Sequence, residues 1–154
     1  MRFHLIDRID SWDPELRLVG RKSTSHAEEF WEPTPAGPVM PRPLVLEALC
    51  QAGTWLIMLS SDHRKRAALL SVGEVMHHSD VRPGEVLLLD ARITAISQEA
   101  AILDGTVGVA DRSGTRPVLT GTGIMCALID AEKLDDPADT RRMAEQLLRI
   151  EVAR

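Results

Sequence analysis

The sequence predicts an α+β fold in which antiparallel strands wrap one buried helix, and three observations point there. Leu44–Leu59 is apolar almost all round, the mark of a helix buried on most of its sides. Beyond residue 86, apolar and polar residues alternate as they do in half-buried strands. Between two short opening strands and the helix lies a connection with five prolines from Pro33 to Pro43, too stiff and too poor in donors for helix or central strand. A lone apolar helix has only the sheet to cover it. At 154 residues the chain is read as one domain, 1–154, with room for a sizeable core.

In chain order, Arg2–Ile9 reads as the first strand and Asp13-Pro14 as a turn. Leu16–Lys22 reads as the second strand, Leu16, Leu18 and Gly20 alternating with Arg17, Val19 and Arg21. Pro43 suits the first turn of the helix that follows. The polar residues of that helix, Glu47, Gln51 and Thr54, fall on one face. The run SDHRKR (61–66) ends it and must be solvated. Ala67–Val72 and Val75–Met76 read as strand, and Arg82-Pro83-Gly84 as a turn. Val86–Ile96, Ala101–Ala110 and Val118–Ile129 are long strands, the last two joined by the turn Asp111-Arg112-Ser113-Gly114. In Val86–Ile96 the inward set is Leu89, Ala91, Ile93 and Ala95. A tail helix over about 137–150 starts with Asp136 as N-cap and Pro137 behind it; Met143, Leu147, Leu148 and Ile150 form its apolar stripe.

Composition excludes several function classes. The net charge of −5 is spread in mixed sign, and the aromatics are two Phe and three Trp with no Tyr. Neither a basic nucleic-acid footprint nor a base-stacking platform follows from that. Cys50 and Cys126 sit in apolar runs and read as small buried hydrophobes rather than a redox pair or a nucleophile. No Cys/His cluster has metal-ligand spacing, so no metal is expected. The charged N-terminus is no signal peptide, and Leu44–Leu59 is too short to span a bilayer, so a cytoplasmic protein without membrane attachment is expected.

The stretch GPVMPRPLVLEALCQAG (37–53) is similar to the 3-hydroxyacyl-acyl-carrier-protein dehydratase family. That family carries His-Phe-Pro-Gly, one residue, Pro-Val-Met-Pro, then an apolar stretch with Glu-Ala and Gln-Ala-Gly. FHLIDRIDSWDPELRLVGRKS (3–23) resembles its opening strand pair, VRPGEVLLLDARI (81–93) the entry to a long strand, and GTGIMCALI (121–129) its last strand, so the resemblance covers roughly 2–129. It implies a hotdog fold, a curved antiparallel sheet around a central helix, here with a C-terminal helix. It implies subunits paired about a shared site, as a homodimer or higher oligomer. It also implies a substrate held as a thioester on the phosphopantetheine of acyl carrier protein or CoA, with no other cofactor.

In the family, a loop histidine removes the α-proton and a helix acid protonates the departing 3-hydroxyl. Loop and helix N–H groups polarise the thioester carbonyl. Carried over, the acid is Glu47 and the helix glutamine is Gln51. The histidine position holds Pro33, the phenylalanine Thr34, and the loop glycine Ala36, with Gly37 one residue on. Pro33, Thr34, Ala36, Gly37, Val39, Met40 and Gln51 then face the substrate. Proline carries no ionisable group, so a replacement base reaching Glu47 across a dimer interface is sought in His26, His77 or His78, against the plainer reading of solvated or hydrogen-bonded histidines. His4 and His63 read as structural or exposed, and Thr34 and Trp31 as channel lining or rim packing. Arg42 narrows the tunnel or pairs with Glu47, while Arg82 and the basic run 64–66 meet an acidic carrier protein or are solvated turns. Three functions stay open: a dehydratase-like enzyme with altered chemistry; a non-catalytic subunit paired with a histidine-bearing homologue; and a thioesterase in which Glu47 activates water or attacks the carbonyl.

Overall fold

A computed structural model describes residues 3–149. Its strands are β1 (Arg8–Asp13), β2 (Arg17–Ser23), β3 (Lys65–Ser71), β4 (Glu74–His77), β5 (Val86–Ile96), β6 (Ala100–Asp111) and β7 (Gly114–Asp130). The helices are α1 (Arg42–Ser60) and α2 (Pro137–Leu148), the second preceded by a 3₁₀ turn, Ala131–Lys133. All strand pairs are antiparallel in one seven-stranded sheet, ordered β1-β2-β5-β6-β7-β3, with β4 beside β3 on the same edge of β7. This is the hotdog arrangement, with α1 as the enclosed helix.

The sheet can approach α1 closely because glycines lie beneath it. Gly105 and Gly121 face each other across β6 and β7. A Cβ on Gly105 would stand 2.6 Å from Leu49 Cδ1 and 2.6 Å from the Asp90 carbonyl oxygen. Gly53 on the helix meets Leu103 in the same way, at 3.1 Å. Leu49, Leu56, Leu87, Leu89 and Ile124 fill the space between the layers. Each such side chain, fully removed from water, contributes about 1.5–3 kcal/mol.

The expected strands exist with shifted ends. β1 begins at Arg8 rather than Arg2, which lies outside the described residues, and it runs on to Asp13. Residues 3–7 precede the strand: Asp7 N–H still reaches the Arg21 carbonyl on β2, but Leu5 N–H goes to the side chain of Gln51. β5 has the predicted bounds, yet Ala95 is exposed because the register slips between Ile93 and Ala95, and a one-residue slip turns side chains to the other face. α2 starts as expected, the Asp136 carboxylate accepting from Ala138 N–H at 2.9 Å. Ile150, placed in its stripe by periodicity, lies outside the described residues.

α1 is longer than the apolar run suggested, 19 residues. It is long and apolar enough to cross a membrane by length and composition, a correction to the sequence reading. Its residues Ala48, Leu49, Ala52, Leu56 and Ile57 are nevertheless buried in the protein's own core. The helix ends with Asp62 and His63 both at positive φ, 51° and 61°, the His63 N–H closing the last turn on the Met58 carbonyl.

Candidate active site

The polar face of α1 looks away from the sheet into a crevice of about 360 Å³. Glu47, Gln51 and Thr54 line it from α1, as their spacing predicts. Trp55 and Met58 continue the same wall towards the helix end. Phe3 and His4 form the second side, Arg66 and Ala67 of β3 the third, and Asp135, Asp139, Thr140 and Met143, from α2 and the turn before it, the fourth.

Gln51 organises this crevice. Its Oε1 accepts from Leu5 N–H at 2.8 Å, and its Nε2 donates to the Phe3 carbonyl at 2.9 Å and to Glu47 Oε1 at 2.9 Å. The side-chain amide thus ties the N-terminal segment to the helix and orients the acid. The sequence reading gave Gln51 to the substrate; the structure spends it on the backbone on either side of His4. Glu47 itself is exposed within the single subunit rather than sunk in the core. The other carboxylates of the crevice are paired, Asp135 with Arg66 and Asp139 with Arg142.

The proline-rich loop closes on itself. Glu32 and Val39 exchange both backbone hydrogen bonds at 2.9 Å. Gly37, at φ 107°, donates its N–H to the Thr34 carbonyl at 2.9 Å, and the Thr34 hydroxyl donates to the Gly37 carbonyl at 2.6 Å. Ala36 N–H points at the Thr34 hydroxyl, and the Arg82 guanidinium donates to the Ala36 carbonyl. Arg82 therefore braces the loop, and Gly37 has no N–H left over for a thioester carbonyl. Pro33 is exposed on this loop, whereas the side chains of Val39 and Met40 are buried in the body of the protein, at 8% and 1% exposure.

His26, His77 and His78 are exposed, and none of them lines the Glu47 crevice within the subunit. His78 Nε2 lies 2.9 Å from the Thr120 hydroxyl. His77 is held below the ordinary imidazole range by burial and by the Arg42 charge, which favours its neutral form. His63 is buried at the end of α1 and is likewise pushed down, by burial and by Arg141. The one histidine on the crevice is His4, which the sequence reads only as structural or exposed. Its contact with α1 depends on a hydrogen bond between residues 46 positions apart, which no local pattern reveals.

The remaining charges are largely spent. Arg42 stands 3.7 Å from Asp80 and makes no ion pair with Glu47. Lys65 pairs with Asp130, and Arg64 Nε donates to the Ser61 carbonyl. Burial pushes the Cys50 thiol up to about 12, with the Glu47 charge adding to the effect, so it is a neutral packing group and no ready nucleophile.

A sheet wrapped round a central helix, with an acid on that helix's outward face, defines the class: a hotdog-fold protein with a helix-borne carboxylate at its crevice. The chain belongs to the FabA-like domain family, whose model matches residues 1–114. Among curated proteins it is 34% identical over 137 residues to the 3-hydroxyacyl-[acyl-carrier-protein] dehydratase FabZ of Chlamydia pneumoniae, covering 86% of each chain. It is 38% identical over 113 residues to the FabZ of Chlamydia muridarum, covering 69% of this chain and 74% of that one.

Among solved structures, a Streptococcus mutans protein bound to acetyl CoA superposes with a TM-score of 0.64 at 14% identity, over 84% of this chain and 94% of that one. A thioesterase family protein from Silicibacter pomeroyi gives a TM-score of 0.64 at 18% identity, over 81% and 86%. At such identities the likeness establishes the fold alone. α2 lies beyond the family match.

Proposed function

We propose that this protein acts as a dehydratase-type hotdog enzyme on 3-hydroxyacyl or enoyl thioesters, carried on the phosphopantetheine of acyl carrier protein or CoA, in the cytoplasm. The observation that carries the reading is Glu47, oriented by Gln51 on the wall of the crevice, in a chain that matches FabZ relatives over most of its length. Glu47 serves as the acid that protonates the departing 3-hydroxyl; placed proton transfer of this kind is worth about 10²–10⁴-fold. Pro33 stands at the family's histidine position, so the loop supplies no base. Thr34, Ala36 and Gly37 then act as a braced edge beside the thioester rather than as its carbonyl donors.

Two copies are proposed to join along β3. That strand is an edge, and Leu69, Leu70 and Met76 are 51%, 60% and 52% exposed on it and on neighbouring β4. An unpaired strand edge with apolar side chains is a template for another strand. The same edge supports the second reading, in which this chain pairs with a histidine-bearing homologue and lends it Glu47 or a scaffold. The thioesterase reading rests on Glu47 alone and has no further support in the geometry.

The test is interconversion of 3-hydroxyacyl- and enoyl-acyl carrier protein by the purified chain. Turnover that falls about 10²–10⁴-fold in Glu47→Gln is expected. Equal rates in the two proteins would remove Glu47 from the chemistry. Turnover only after a homologue is added would favour the paired-subunit reading, and thiol release without dehydration the thioesterase.

A further inference from the structure

We infer that His4 is the base that works opposite Glu47. The inference rests on the dehydratase reading above and supplies the group that reading lacks.

Four observations carry it. His4 lines the same crevice as Glu47, which no other histidine among the described residues does. The backbone on both sides of His4 is fixed by one side chain, Gln51, through the Phe3 carbonyl at 2.9 Å and Leu5 N–H at 2.8 Å. That same amide donates to Glu47 Oε1 at 2.9 Å, so a single group sets the acid and the segment bearing the base. Leu5 is buried in the core, which anchors the segment from its other side. A base and an acid held by a common third group is an arrangement suited to proton transfer at two neighbouring atoms of one substrate.

The other charged groups on the crevice do not compete for these roles. Arg66 of β3 pairs with Asp135, and Asp139 at the start of α2 pairs with Arg142. Glu47 on α1, in no ion pair among the described residues, and His4 on the N-terminal segment both line the space between these walls.

The step is redox-neutral and balances within the substrate. The His4 imidazole takes the proton from the carbon next to the thioester carbonyl. The C–H electron pair becomes the C=C bond, the C–O bond to the 3-hydroxyl breaks, and Glu47 gives that oxygen its proton, so that water leaves. Restoring the starting protonation states needs only proton exchange with solvent.

α-Hydrogen exchange isolates the base from the acid, because a saturated acyl thioester has no hydroxyl to lose. Wild-type protein incubated with butanoyl-CoA in D₂O, followed by proton NMR, is expected to wash out the α-hydrogens, and His4→Gln to slow this by about 10²–10⁴-fold. In His4→Gly, added imidazole restores part of the rate. Exchange by His4→Gln at the wild-type rate overturns the inference. If dehydration of 3-hydroxybutanoyl-CoA is at the same time lost in Glu47→Gln, the dehydratase reading still stands and only the role of His4 falls. Neither exchange nor dehydration by the wild type overturns both.

Discussion

The two faces of α1 were built for different ends. Towards the sheet, glycines replace side chains so that Leu49 touches the backbone of β6, and nothing polar intrudes. Towards the crevice, on the opposite side of the helix, an acid, an amide and a hydroxyl stand in partly open space, and what lies across them is an N-terminal segment, the start of β3, and α2 with the turn before it. The first face supplies burial energy and tolerates little change in volume. The second supplies position, and its bonds are worth little to stability because water competes for them. A helix that is apolar almost all round by composition thus carries its crevice-facing polar groups on a narrow stripe of three residues, Glu47, Gln51 and Thr54.

Substitutions can break that contrast. Leu49→Ala should cost most, about 2–5 kcal/mol in denaturant unfolding, since a fully buried leucine between rigid layers leaves a cavity. Gly105→Ala should cost about 1–3 kcal/mol, because its Cβ meets both Leu49 and the Asp90 carbonyl at 2.6 Å and backbone cannot yield cheaply. Gln51→Ala should cost only about 1 kcal/mol, yet speed hydrogen exchange at the Leu5 amide and lower turnover, because it frees the segment that carries His4. A loss of stability in Gln51→Ala equal to that in Leu49→Ala would mean that both faces are structural.

The sequence made the regular elements legible and the site only in part. β5 and the Asp136-Pro137 start of α2 follow from alternation and capping, both local properties. The shared face of Glu47, Gln51 and Thr54 follows from helical spacing, and the crevice lies on that face. What was hidden depends on contacts far apart in the chain. The use of Gln51 on residues 3–5 and the bracing of the loop by Arg82 through Ala36 are two cases. The slip that turns Ala95 outward is a third, since it arises between two strands and leaves no mark in either. His4 was missed for the same reason. Its partners are a helix face and two later elements, and one strand's pattern names none of them.

The margin along β3 leaves Leu69 and Leu70 open to water. If a second copy covers those side chains, dilution lowers the melting point and crowding together raises it, by mass action rather than by any change within one chain.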